Sequence, residues 1–182
     1  VADPPWHYDG FPGTEATGRD KRLVQGKSFT RPMPYASMSL AEIAALPLPI
    51  LAAPDCRLFL WTTNRYLPDG FDILADWGFT YRQTLVWVKP GVPPFGGSIA
   101  RNFAEYVLVG TVGKPERLSV ANSNVITASK SKAQHSRKPE AFLDLIEAVS
   151  PGPYLELFAR RQRLGWDTWG NEALEHVVLA GQ

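Results

Sequence analysis

The 182-residue sequence contains little cysteine, methionine or histidine, and it lacks a long hydrophobic run. Its single cysteine, Cys56, excludes an internal disulfide and favours a cytosolic protein. The three histidines, His7, His135 and His176, lie far apart in sequence, which argues against a metal site. No apolar stretch approaches the roughly 20 residues that span a bilayer, so we expect no membrane partner.

Composition and length indicate one globular domain. Hydrophobic residues make up 45% of the chain and charged residues 20%, which is typical of globular proteins. No linker divides residues 1–182, so we expect a single domain. The sequence opens at Val1 inside an apparent strand. Because a strand of two residues is not credible, we expect an N-terminal strand or extension to be missing from this sequence.

Charge is unevenly distributed along the chain. The formal net charge is only +1, which by itself predicts no nucleic-acid partner. Basic residues nevertheless outnumber acidic residues in three segments, 19–31, 130–138 and 160–163. For each segment taken singly, a solvated loop is the favoured explanation. If the three converge on one face, they form a surface suited to phosphate groups.

Strand and helix patterns alternate along the chain, which predicts a three-layer α/β sheet with ligands at the carboxyl ends of its strands. A long segment without periodicity, residues 7–38, is of the kind that usually carries function. The predicted elements are a helix from the capping box at Ser39 to about Leu46, a strand over 56–63, a helix with the apolar face Leu67, Phe71, Leu74 and Ala75, strands over 84–88, 105–112 and 125–127, a helix from Pro139 to Val149, a strand over 154–159, a loop over 160–170 and a helix in the last dozen residues.

The first motif with recognisable chemistry is Asp3-Pro4-Pro5-Trp6, directly after the apparent strand. An adenine amine is a poor nucleophile because its lone pair is delocalised into the ring. Acceptors on its two N–H bonds would draw that lone pair out, and the carboxylate of Asp3 and the carbonyl of Pro4 suit this purpose. Trp6 offers a flat face for a base taken out of its stack. The alternative is a strand end with a Pro-Pro turn and a core tryptophan.

Two further motifs lie where helices begin or strands end. His135-Ser136-Arg137-Lys138-Pro139 places cations at a helix N-terminus, which suits the carboxylate of an amino-acid-like cofactor, although a basic surface loop explains it too. The segment from Glu156 to Arg160, followed by Asn171 and Glu172, suggests polar groups that bind a ribose. For Trp166 and Trp169 we favour core packing.

Seven blocks of this sequence resemble the MT-A70 family of adenine N6-methyltransferases, typified by the catalytic subunit of the eukaryotic messenger-RNA methylase, and most of all its bacterial and phage branch. In order, they are Ala-Asp-Pro-Pro-Trp, Tyr-Ala-Ser-Met-Ser, Leu-Phe-Leu-Trp-Thr-Thr-Asn, Leu-Val-Trp-Val-Lys, His-Ser-Arg-Lys-Pro, Glu-Leu-Phe-Ala-Arg and Trp-Gly-Asn-Glu. The resemblance implies a Rossmann-like methyltransferase sheet with a permuted motif order, in which the catalytic motif precedes the cofactor-binding strand.

The resemblance also implies two groups of site residues and no metal ligand. The first group polarises the amine or holds the substrate: Asp3, Pro4, Pro5, Trp6, Tyr35, Glu105 and Arg137. The second group contacts S-adenosylmethionine: Asp3, Lys138, Phe158, Arg160, Asn171 and Glu172. The chain departs from the eukaryotic catalytic subunit at Gln162 and Arg163, where that subunit has His-Asn, and at Glu172, where it has Gln.

From these residues we expect methyl transfer from S-adenosylmethionine to adenine N6 in nucleic acid, in the cytoplasm of a bacterium or of a phage-infected cell. DNA is preferred to RNA because of the bacterial character of the sequence. Three alternatives stay open: an RNA adenine methyltransferase, a methyltransferase of cytosine N4, and a catalytically silent nucleic-acid-binding scaffold. The intact Asp3 and Trp6 argue against the scaffold. A homodimer or a partner subunit is compatible with the absence of a target-recognition insert.

Overall fold

The computed structural model describes residues 1–7, 36–91, 99–129 and 137–170. Within these ranges the helices and strands form a mixed α/β arrangement. In chain order the elements are α1 (Leu40–Ala44), α2 (Leu48–Leu51), β1 (Cys56–Thr62), α3 (Leu67–Asp76), β2 (Thr80–Val88), β3 (Ala104–Val112), β4 (Val125–Thr127), α4 (Glu140–Val149), β5 (Tyr154–Leu157) and β6 (Trp166–Trp169).

Four strands form a mixed sheet in the order β1-β3-β2-β4. The strand β3 runs antiparallel to both β1 and β2, whereas β4 is parallel to β2. The strands β5 and β6 form a separate parallel pair. Because β3 runs against its neighbours, its first residues lie at the edge where β1 and β2 end.

The first residues of the chain lie between these two sets of strands. Ala2 forms parallel bridges to Leu60 in β1 and to Leu157 in β5. Its amide and carbonyl form hydrogen bonds of 2.9 and 2.8 Å with the backbone of β1, and the Leu157 amide donates to the Val1 carbonyl at 2.9 Å. Asp3 therefore follows a segment that is flanked by parallel strands on both sides.

Helices cover both faces of β1. Leu58 and Leu60 belong to the apolar cluster that includes residues of α1, α2 and α3. Phe59 and Trp61 belong to the cluster that includes residues of α4. Side chains alternate across a strand, so burial on both faces explains why β1 reads as a continuous apolar run. None of the described helices is long and apolar enough to cross a membrane.

The helix α1 begins as predicted, with a complete capping box between Ser39 and Glu42. The predicted apolar face of α3 was wrong at Phe71 and Ala75, which are exposed. A Cβ at Gly70 would lie 3.1 Å from Leu108 Cδ1, so the helix approaches the sheet through the residue that has no side chain. The buried residues of α3 are Gly70, Ile73 and Leu74.

Several predicted boundaries were also wrong. The strand β2 begins at Thr80, four residues earlier than predicted. The prolines after α1 do not end the helical structure. They lie at the start of the short helix α2, because proline is tolerated in the first turn of a helix. The predicted loop over 160–170 contains the strand β6. The sequence did not indicate this strand, because its alternation of buried and exposed residues is only four residues long. The predicted helix in the last dozen residues lies outside the described residues.

The strand β5 ends at Leu157, two residues before its predicted end. Phe158 has a φ of 62°, in the left-handed region that a residue with a Cβ seldom adopts. A strand cannot continue through such a residue, so the chain turns there. Non-glycine residues held in this region are often found at functional sites.

Candidate active site

Charged side chains from four places in the sequence meet at the edge where the parallel strands end. Asp3 follows the segment at residues 1–2, Lys89 follows β2, and Glu105 is the second residue of β3. Lys138 reaches the same edge from the residue before Pro139, the N-cap of α4. Ligands of open α/β sheets bind at this carboxyl edge.

The four side chains form an alternating line of charges, which we call the charge line: Lys89, Glu105, Lys138 and Asp3. Lys138 Nζ lies 2.9 Å from Glu105 Oε2 and 3.1 Å from Asp3 Oδ1. The other carboxylate oxygen of Glu105 pairs with Lys89. The four side chains are only 14% to 17% exposed, so water and salt screen these pairs weakly.

The charge line affects its two carboxylates differently. Burial raises the pKa of Asp3, and the Lys138 ammonium opposes that rise. Burial also acts to raise the pKa of Glu105, but Lys138 and Lys89 outweigh it and lower this pKa to about 2. Burial opposes the charge of Lys138, yet Asp3 and Glu105 outweigh it and raise the pKa of its ammonium. Glu105 is therefore firmly ionised, and Asp3 is the carboxylate whose charge depends most on its neighbours.

A tight turn follows Asp3. The Trp6 amide donates to the Pro4 carbonyl at 2.8 Å, and the rings of Pro4 and Pro5 fix their own φ angles. The Pro4 carbonyl therefore has a fixed direction. A carbonyl oxygen has two lone pairs, so one remains for a second donor.

Trp6 itself is a core residue in this structure. Its side chain is 4% exposed, and its Nε1 donates to the Trp61 carbonyl at 3.2 Å. Its ring stacks on Tyr66 with centroids 5.1 Å apart and an interplanar angle of 16°. These contacts support the core reading of the tryptophan, and its role as a platform for a base stays a prediction.

Tyr35 belongs to residues 8–35, which lie outside the described ranges. The residues that flank this segment meet beside Trp6. The Met38 amide donates to the Pro5 carbonyl at 2.9 Å, and His7 Nδ1 shares a 2.6 Å hydrogen bond with Ser37 Oγ. The long segment therefore leaves and rejoins the described structure at the Asp3–Trp6 motif.

A cavity of about 10 Å³ lies next to Asp3, which is room for one water-sized group. Glu156 is 9% exposed, and no group in the described ranges donates to its Oε2 atom. Arg161 Nε is likewise buried without an acceptor among those residues. An unsatisfied acceptor and an unsatisfied donor suit a polar group of this size. The cavity is lined by Asp3, Arg137, Lys138, Glu156, Phe158, Arg160 and Arg161.

The structure thus brings most of the predicted cofactor residues together, while Asn171 and Glu172 lie outside the described residues. The preceding residue, Gly170, packs against the turn at Phe158. A Cβ at Gly170 would lie 2.4 Å from the Ala159 amide nitrogen and 2.6 Å from its carbonyl oxygen. Only glycine fits there without a backbone shift, so the chain directly after β6 is held against the turn at Phe158.

The predicted basic surface is only partly visible, because residues 19–31 and 130–136 lie outside the described ranges. Within the third basic segment, Arg163 is committed to α4, where it contacts Glu140, Asp144 and Glu147 at 2.7 to 3.3 Å. Arg161 also pairs with Glu140, at 2.7 Å. These arginines pair with the protein's own carboxylates, which partly neutralise their charges and make them less available to a phosphate backbone.

Lys89, Glu156 and Arg161 belong to the site and were not assigned to it individually from the sequence. The position of Lys89 directly after a strand was the available signal, because Asp3 has the same position. A larger cavity of about 340 Å³ lies at the opposite edge, next to the starts of β1 and β5, and it does not include Asp3. No cluster of three metal-ligating side chains occurs in the described part of the chain.

Comparison with known proteins defines the class. The MT-A70 family profile matches residues 1–172. The chain therefore belongs to the MT-A70 family of adenine N6-methyltransferases.

Individual relatives match over most of this chain. The type II methyltransferase M.MunI of Mycoplasma sp. is 33% identical over 97% of the chain and 78% of that protein. The human N(6)-adenine-specific methyltransferase METTL4 is 31% identical over 97% of the chain, which spans only 38% of METTL4. An N(6)-adenosine-methyltransferase MT-A70-like protein of Drosophila melanogaster is 35% identical over 77% of the chain and 24% of that protein.

Proposed function

We propose that this protein transfers a methyl group from S-adenosylmethionine to the N6 amine of adenine in nucleic acid, with DNA as the preferred substrate. The observation that carries the proposal is the position of Asp3, which ends a segment between parallel strands and lies 3.1 Å from Lys138. The names of METTL4 and of the Drosophila relative, which refer to adenine or adenosine N6, support the chemistry.

In the proposed mechanism, Asp3 accepts a hydrogen bond from one N–H of the amine. The free lone pair of the Pro4 carbonyl accepts the other, and the Trp6 amide holds this carbonyl in place. Both acceptors increase the electron density on nitrogen as it forms its new bond. Such fixed acceptors act mainly through positioning and electrostatics, because they need no reorganisation during the reaction.

We further propose that the residues around the cavity beside Asp3 bind the charged groups of the cofactor's amino-acid end, of which the cavity itself has room for the ammonium group alone. Lys138 and Arg137 suit the carboxylate of that end, and Asp3 and Glu156 suit its ammonium group. When bound, the cofactor supplies an electrophilic methyl group on a sulfonium. The nucleoside end of the cofactor would be held by Phe158, Arg160, Asn171 and Glu172. In this arrangement the catalytic motif at Asp3 precedes the cofactor-binding strand β5, which is the permuted order.

The choice of DNA rests on the relatives. The type II methyltransferase M.MunI matches almost the whole chain, and of the three relatives described above it is the one whose own length is covered most completely.

Four residues are proposed to contact or support the acceptor base: Tyr35, Trp6, Glu105 and Arg137. Glu105 acts from a fixed position, because both of its carboxylate oxygens are bound by lysines.

Product analysis tests the proposal. Purified protein is incubated with methyl-labelled S-adenosylmethionine and with DNA and RNA of matched sequence, and the nucleosides are analysed by mass spectrometry. We expect N6-methyladenine in DNA and a loss of at least about 100-fold for Asp3→Ala. Methylation of RNA alone would contradict the substrate, N4-methylcytosine would contradict the target atom, and nucleic-acid binding without transfer would favour the scaffold.

A further inference from the structure

Lys89 lies at the far end of the charge line from Asp3. It follows β2, and its backbone amide donates to the Phe103 carbonyl at 2.8 Å. Its side chain pairs with Glu105, which in turn binds Lys138 at 2.9 Å. Lys138 is the residue that contacts Asp3. Asp3 is thus connected to Lys89 through two intermediate charges.

We propose that Lys89 is a positioning residue, which neutralises Glu105 so that the ammonium of Lys138 remains shared with Asp3. The inference rests on the proposed function only in giving Asp3 a catalytic role. The electrostatic coupling itself is a property of the folded protein.

Aromatic platforms fix both lysines of the line. Lys89 Nζ lies 4.7 Å from the centre of the Trp87 ring, and Lys138 Nζ lies 4.9 Å from the centre of the Trp61 ring. The two indoles pack edge to face, with centroids 5.8 Å apart and an interplanar angle of 83°. Cations over indole faces are stabilised further when they are shielded from water. The rings therefore set the separation of the two ammonium groups that hold Glu105.

Removal of the Lys89 charge has a definite consequence for Asp3. Glu105 would then have Lys138 as its main cation and would compete with Asp3 for it. The negative charge of Glu105 already opposes ionisation of Asp3 and raises its pKa. The other charged groups around Asp3 are Arg160 and Glu156, together with Arg137 and Arg161 of the cavity. Within the described residues, Glu105 forms its ion pairs with Lys89 and Lys138.

The test compares Lys89→Met and Lys89→Arg with the wild-type protein and with the control Arg163→Gln, whose ion pairs lie outside the charge line. The Asp3 side-chain carboxyl is titrated by carbon-13 NMR and assigned with Asp3→Asn. Methyl transfer is measured from pH 6 to pH 8, and thermal unfolding confirms folding. If Lys89→Met does not fold, Lys89→Gln takes its place.

We expect the Asp3 titration to move to higher pH in Lys89→Met and to stay near the wild-type position in Lys89→Arg and Arg163→Gln. The activity at pH 6 relative to pH 8 should fall in Lys89→Met, because a larger fraction of Asp3 is then protonated at pH 6. An unchanged Asp3 titration in Lys89→Met, or an equal shift in Arg163→Gln, would overturn the inference. If the wild type transfers no methyl group, the proposed function fails, and the NMR titration still decides the role of Lys89.

Discussion

Two groups of ion pairs in this protein join basic side chains to carboxylates in different settings. Around Arg163, three carboxylates of α4 that are 35% to 63% exposed hold one arginine at the surface. In the charge line, two lysines and two carboxylates face one another with 14% to 17% exposure. The surface group fastens a loop to a helix, whereas the charge line keeps ionised groups at the strand ends. Ion pairs in this fold thus serve structure at the surface, and we propose that those at the sheet edge serve chemistry.

Neutralising a carboxylate of the charge line should cost more unfolding free energy than any substitution in the surface group. With its pKa lowered from 4.5 to about 2, Glu105 contributes about 3 kcal/mol at neutral pH. Glu105→Gln should lose about this amount of unfolding free energy, measured by urea denaturation at pH 7.

The pH dependence of that loss gives a second check. Because the pKa of Glu105 is lower in the folded state, its contribution is complete above about pH 4.5 and disappears as the pH falls towards about 2. The difference between wild type and Glu105→Gln should therefore shrink below about pH 4.5. A difference that is independent of pH would show that Glu105 stabilises the protein by packing alone.

The sheet edge also depends on a close backbone contact at Gly170. Gly170→Ala places a Cβ 2.4 Å from the Ala159 amide nitrogen, so the turn at Phe158 must shift. We expect a loss of about 2 kcal/mol in urea denaturation. Gly165→Ala is the control, because its Cβ has open space and only the positive φ of 81° opposes it, at a cost of about 1 kcal/mol. Equal losses would contradict the close contact.

The smallest effect is expected at the surface. Arg163→Gln should cost about 1 kcal/mol or less, because its partners are well hydrated. Raising the salt concentration should reduce this cost further, whereas the cost of Glu105→Gln should change little. Urea denaturation at low and high salt measures both. If both variants respond equally to salt, the contrast between the two groups is wrong.

Sequence patterns predicted the carboxyl ends of β1 to β4 to within one residue, and the packing less well. Asp3 and Lys138 were assigned to one site through the resemblance to the MT-A70 family, whereas the strand end before Asp3 and the helix start after Lys138 could be read locally. The pairing of Lys89 with Glu105 was not predicted, because it depends on the antiparallel direction of β3. The face of α3 was missed because the absence of a side chain at Gly70, rather than an apolar residue, decides which side approaches the sheet.

The central claim is that the carboxylate of Asp3 at the sheet edge activates the amine. The most direct test is the rate of methyl transfer to adenine by Asp3→Asn and by the surface control Arg163→Gln, with folding and S-adenosylmethionine binding measured in parallel. We predict a loss of at least about 100-fold for Asp3→Asn in a folded protein and a rate near that of the wild type for Arg163→Gln. Transfer by folded Asp3→Asn at the wild-type rate would contradict the claim.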